Sequence, residues 1–123
     1  MSVVFADTSF YQALLSKRDN QHDHARETLA QLDAGIVTTE YVFIELGSLM
    51  SYGPARGLFV RLLQHARNDS FTELVPASAE IFNAGFTLFA DRPDKNWSLV
   101  DCISFQLMRQ RRIQDVLTYD HHF

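Results

Sequence analysis

Two short apolar runs, Val3–Ala6 and Val116–Tyr119, stand near opposite ends of the chain, and each runs straight into an aspartate, Asp7 and Asp120. Runs of this kind read as buried strands. Between them, helical patterns alternate with two more strand-like runs, Ile36–Thr38 and Phe71–Val75. Parallel strands need long crossovers, which helices supply. The alternation therefore selects an α/β fold, with a central, mostly parallel sheet of four to five short strands covered by helices on both faces.

The helices follow from periodicity and caps. Thr8 and Ser9 are placed to cap a helix over Phe10–Leu15. His22–Asp33 carries Ala25, Leu29 and Leu32 at helical spacing, ending at Ala34-Gly35. Thr39 caps Glu40–Tyr52, with Val42, Leu46, Leu49 and Met50 as the expected inner stripe, and Gly53-Pro54 is expected to break it. Leu58–Arg67, Ala77–Phe89 and Ser98–Gln110 complete the helical set, with polar loops at Ser16–Gln21 and Ala90–Asn96. Residues 1–123 show no repeat or linker, so one domain is expected.

Composition narrows the function classes. With 15 acidic and 11 basic residues the net charge is −4, which argues against holding nucleic acid on a broad basic surface. It leaves a nuclease open, because a divalent cation neutralises a local acidic cluster. The lone cysteine, Cys102, excludes an internal disulfide and points to a reducing compartment. The N-terminus has no basic segment before a long apolar core, and no run approaches the roughly 20 apolar residues of a membrane span. A soluble, cytoplasmic protein is the expectation.

Four carboxylates carry the functional argument. Asp7 and Asp120 follow strands, and the carboxyl ends of parallel strands are where ligands bind. The simpler alternatives are a helix N-cap for Asp7 and an Asx-turn for Asp120. Glu45 has Tyr41, Val42, Ser48 and Leu49 as its helical neighbours, a mostly apolar face where a carboxylate is costly unless paired or metal-bound. Asp101 lies in Ser98-x-x-Asp101, which reads as a capping box, yet aligns with the inward Phe105 and Met108. A first-turn carboxylate can both cap and bind metal. Hard oxygen donors of this kind select Mg²⁺ or Mn²⁺ over zinc.

The segments VVFADTSF, TTEYVFIELGSL, DKNWSLVDCISF and LTYDHHF resemble, in order and over essentially the whole chain, the motifs of PIN-domain ribonucleases. They resemble most the VapC-type toxins of toxin–antitoxin pairs. The resemblance implies a three-layer PIN-like fold with the acidic site at the carboxyl edge of the sheet. It makes Asp7 and Asp101 the leading metal ligands for Mg²⁺ or Mn²⁺, with Glu45 and Asp120 completing the catalytic set. Thr8, Ser9 and Thr118 become polar supports, and Asp94 and Lys95 position a site loop or touch phosphate. It implies an RNA substrate, a homodimer, and a cognate antitoxin that silences the site with an inserted peptide. Such proteins commonly continue about one strand beyond the Asp120 motif, which makes the role of Asp120 the least firmly assigned.

Other residues offer less. His22 and His24 have no cysteine or third histidine near them, so a zinc site is not expected. His121-His122, beside Asp120, are placed to touch substrate, though a solvated tail end is the simpler reading, and Cys102 reads as a small core residue. Lys17-Arg18 and Arg109, Arg111 and Arg112 are candidates to rim an RNA groove, though charged helix ends are usually just solvated. Phe82, Phe86 and Phe89 share a helix face and read as core or dimer interface. Two other functions stay in view. A receiver domain would want paired acids after the first strand and a late lysine, where this chain has a lone Asp7 and then Asp120. A silent PIN-like scaffold would bind RNA or protein without metal.

Overall fold

The computed structural model describes residues 2–123. The described elements run β1 (Val3–Ala6), α1 (Thr8–Leu15), α2 (His22–Gln31), β2 (Gly35–Thr39), α3 (Glu40–Leu49), α4 (Gly53–Asn68), β3 (Thr72–Val75), α5 (Ala79–Asp91), α6 (Leu99–Arg111) and β4 (Val116–Leu117). All strand pairs are parallel, in the order β3-β2-β1-β4, and the result is a three-layer α/β arrangement. The expected four to five strands are four among the described residues.

β1 sits between β2 and β4, which explains its run of buried residues: Phe5 and Ala6 have no solvent exposure. β4 is short, but its pairing sets the site. Phe5 N–H donates to the Asp115 carbonyl at 2.9 Å and Asp7 N–H to that of Leu117 at 3.0 Å. This register brings the chain after β4 alongside Asp7. Thr38, wholly buried on β2, donates from its hydroxyl to the Ala6 carbonyl at 2.9 Å, which ties down the end of β1 from the other side.

The helix starts show which local signals held. Thr39 and Ser98 cap α3 and α6 as read from the sequence, and Ser98 with Asp101 forms a complete capping box. Thr8 and Ser9 lie inside α1 instead of capping it; Asp7 takes the N-cap position. Gly53-Pro54 opens a helix where a break was expected: α4 begins at Gly53, with Pro54 in its first turn. A proline there loses no hydrogen bond, because first-turn N–H groups have no intrahelical partner. Gly53 takes φ +48°, a conformation that suits glycine, between the end of α3 and the start of α4.

The inner stripe of α3 is Val42, Phe43 and Leu46, while Leu49 is exposed. The core gathers Phe5, Phe10, Tyr11, Phe43 and Leu46 around the sheet, with Tyr11 and Phe43 in ring contact at 5.2 Å. α5 and α6 pack without a gap at Gly85. A β-carbon there would lie 2.8 Å from Ile103 Cα and 2.9 Å from its nitrogen, inside van der Waals contact. That close approach fixes the position of the helix that carries Asp101.

Candidate active site

Asp7 is almost fully buried, at 2 % exposure, directly after β1. Though it occupies the N-cap position of α1, its side chain makes no capping hydrogen bond. Oδ2 accepts instead from Ser9 Oγ at 3.0 Å and Thr118 Oγ1 at 2.9 Å. Each hydroxyl is itself oriented by a backbone donor: Tyr119 N–H gives to Ser9 Oγ at 2.8 Å, and Asp120 N–H to Thr118 Oγ1 at 3.0 Å. The chain after β4 is thus stitched to the Asp7 carboxylate, which also aligns Asp120.

Asp101 is buried at 7 % exposure and serves the capping box, with Oδ2 accepting from Ser98 N–H at 3.1 Å. Burial, and the nearby charges of Asp120 and Asp7, push its carboxyl above the ordinary range despite the bonds from Ser98. Capping and site geometry coexist because the first turn of α6 points at the sheet edge. Asp120 accepts the His122 backbone N–H on Oδ1 at 2.9 Å, an Asx-type turn of the kind the sequence allows.

Glu45 is half-buried on α3. Burial raises its carboxyl most, and Asp101, Asp7 and Asp120 raise it further. The Thr8 hydroxyl faces this carboxylate and favours its ionised form, but falls short of hydrogen-bond geometry. Thr8 Oγ1 is therefore a buried polar atom without a partner. Four acids from separate parts of the chain thus share one electrostatic environment, at the edge where β1 and β4 end.

The three aspartates are held alike. Each commits one oxygen to protein donors: Asp7 Oδ2, Asp101 Oδ2 and Asp120 Oδ1. The other oxygen of each accepts nothing among the described residues. Free oxygens on fixed carboxylates, with a buried hydroxyl beside them, fit a hard divalent cation such as Mg²⁺ or Mn²⁺. The tightest grouping of ligand atoms among the described residues is a different one, Asp120, His121 and His122, all within 4.8 Å. These are consecutive residues brought together by the turn of the tail, with His121 exposed.

Several surrounding residues make contacts that the sequence did not specify. His122 is no solvated tail: its ring is 27 % exposed, with Nδ1 3.0 Å from Asp120 Oδ1 and 3.9 Å from Asp101 Oδ2. The contact to Asp120 is out of line for a hydrogen bond, which leaves Nδ1 buried without a partner. Only its place two residues after a strand-end aspartate signalled this. Asp94 turns to Arg92 in a two-point contact of 2.9 and 3.0 Å, which holds its carboxyl down at about 2. Arg92 and Lys95 lie over the Trp97 ring, so Asp94 and Lys95 shape the loop before α6. Arg111 pairs with Glu73 at 2.7 Å, and His24 bonds Tyr119 Oη at 2.6 Å through Nδ1.

Fold and site together define a class: a parallel, three-layer α/β protein with a carboxylate centre at the carboxyl edge of its sheet. Within that class the chain belongs to the PIN domain family, which matches residues 4–123. It is 24 % identical over 121 residues to the 23S rRNA-specific endonuclease VapC20 of Mycobacterium tuberculosis, strains CDC 1551 / Oshkosh and ATCC 25618 / H37Rv. That match covers 98 % of this chain and 92 % of the relative. The crystal structure of Mycobacterium tuberculosis VapC20, described as a sarcin-ricin loop cleaving toxin, has the same fold. It aligns with a TM-score of 0.87 at 24 % identity, over 98 % of this chain and 91 % of that one.

Proposed function

We propose that the protein is a Mg²⁺- or Mn²⁺-dependent endoribonuclease, the toxin of a type II toxin–antitoxin pair. The observation that carries this reading is the convergence of Asp7, Glu45, Asp101 and Asp120, with a free oxygen left on each aspartate. Asp7 and Asp101 would hold the cation, being the two most buried of the set. When bound, the cation lowers the pKa of a coordinated water and offsets charge on the phosphodiester. Glu45, whose raised pKa favours taking up a proton, orients the attacking water and accepts that proton, while Asp120 closes the cluster from the tail. Ser9 and Thr118 keep Asp7 from turning back onto the N-terminus of α1.

The relative's 23S rRNA makes ribosomal RNA the first substrate to test. A homodimer is proposed through α5, whose Phe82, Phe86 and Phe89 are 41 %, 52 % and 45 % exposed and so are not core. Tyr41 of α3 continues that face, in ring contact with Phe82. A cognate antitoxin would act by laying a peptide over the carboxylates. A cytoplasmic location fits an RNA substrate, and no described helix is long and apolar enough to cross a membrane.

The test is cleavage of end-labelled RNA, with 23S rRNA and a random pool in parallel, in Mn²⁺ or Mg²⁺ against EDTA and against Asp7→Asn. Cutting that needs the metal and Asp7 supports the reading. Cutting that persists in EDTA or in folded Asp7→Asn refutes the site. A folded protein that binds no metal and cuts neither RNA would favour the scaffold reading.

A further inference from the structure

His122 meets the carboxylate centre from one side only. Its Nδ1 faces Asp120 Oδ1 and Asp101 Oδ2, and these same two oxygens take the backbone donations from His122 and Ser98. The free oxygens, Asp120 Oδ2 and Asp101 Oδ1, are the others. The imidazole therefore stands behind the carboxylates, where protein donors gather.

A second observation agrees. Nδ1 is buried and lacks an aligned partner, which is costly for a polar nitrogen unless a small ring rotation completes a bond. Protonated at Nδ1, the ring has one N–H to offer Asp120 Oδ1 at 3.0 Å, while Asp101 Oδ2 stands beside the same nitrogen at 3.9 Å, beyond hydrogen-bond reach. No lysine or arginine pairs with any of the four acids among the described residues. Outer donors of this kind orient metal-binding groups.

We propose that His122 is a positioning residue: donation from Nδ1 to Asp120 Oδ1 holds that carboxylate, beside Asp101, with its free oxygen turned to the metal-binding side. This rests on the metal-dependent reading above. It assigns His122 neither a bond to metal nor proton transfer to substrate.

The test exploits the two ring nitrogens. Asparagine places an amide N–H near the position of Nδ1, whereas glutamine reaches toward that of Nε2. Mn²⁺ binding to the whole protein would be measured by calorimetry for the unaltered chain, His122→Asn, His122→Gln and His122→Ala. Melting in EDTA would confirm that each is folded. Alanine and glutamine should weaken Mn²⁺ binding by about 10- to 100-fold, and asparagine should restore it to within about threefold of the unaltered protein. Cleavage in limiting Mn²⁺ should follow the same order, with kcat recovering for alanine when Mn²⁺ saturates.

A merely structural histidine would not separate asparagine from glutamine, and a direct metal ligand would be lost in all three variants. Asparagine as weak as alanine, or alanine as tight as the unaltered chain, overturns the proposal. Loss of Mn²⁺ binding in Asp101→Asn, beside unchanged His122→Ala, would remove this proposal and leave the nuclease reading standing. Absence of Mn²⁺ binding in the unaltered protein would remove both.

Discussion

Replacing Asp101 with asparagine separates what this residue does for stability from what it does for the site. Asp101 Oδ2 and Asp120 Oδ1 lie 3.9 and 3.0 Å from the same His122 nitrogen. The two acids are therefore at most about 7 Å apart, where like charges repel by about 2 kcal/mol at an effective dielectric of about 20. Proton uptake and salt reduce this, so relief of about 1 kcal/mol is expected at neutral pH. Asparagine keeps a carbonyl oxygen for the Ser98 N–H, so the capping box survives. In EDTA the variant should melt about 4 °C higher than the unaltered protein while losing metal-dependent RNA cleavage. Ser98→Ala is the counterpart: it removes the cap acceptor at a cost of about 1 kcal/mol, melts lower, and still cuts RNA. The assays are differential scanning calorimetry in EDTA and cleavage in Mn²⁺. An asparagine variant that melts no higher than its parent would refute the repulsion argument, since the cap bond from Ser98 is kept.

Three further predictions test other parts of the structure. Gly85→Ala places a β-carbon against Ile103 and should cost about 1–3 kcal/mol by urea denaturation, because α6 must shift; an unchanged midpoint would mean that the two helices are not in close contact. Glu45 and Asp101 have folded pKa values raised above the unfolded ones, so the native state retains protons that the unfolded chain releases. Their contribution is full below about pH 4 and is lost as pH rises through the folded values. In EDTA, Glu45→Gln should therefore gain on the unaltered protein in melting temperature from about pH 4 to about pH 7, and a difference constant with pH would contradict the shift. Phe86→Asp should convert a dimer to monomer in light scattering without lowering the melting point of the monomer, since this side chain is exposed in the single chain; persistence of the dimer would place the interface elsewhere.

Much of the architecture is written in local signals. The β-branched run and its Asp ending set β1, the threonine and serine caps set α3 and α6, and Ser98-x-x-Asp101 specified both partners of its own hydrogen bonds. These are decided within a few residues, by steric preference and by backbone groups that need a partner. The run expected as a strand over Val116–Tyr119 pairs only at Val116–Leu117. Local signals failed where one residue type suits two positions. Gly53-Pro54 reads equally as a helix stop or a helix start, and Leu49 continues an apolar stripe that the tertiary packing leaves in solvent. Thr8 and Ser9 look like caps until Asp7 takes that place in the backbone.

The four acids could be singled out as candidates because strand ends, an apolar helix face and a first turn are each visible in sequence. Their mutual effect was not. The parallel pairing of β1 with β4 brings Thr118 against Asp7 across more than a hundred residues, and only that register fixes which carboxylate oxygen is occupied and which is free. His122 makes the same point: as letters it is the end of a polar tail, and in the fold it stands between Asp120 and Asp101. Sequence determines which groups the chain carries and where each element begins, because those choices rest on neighbours along the chain. Tertiary structure alone decides which charges must share a buried space, because Coulomb repulsion and lost hydration depend on distances through the fold.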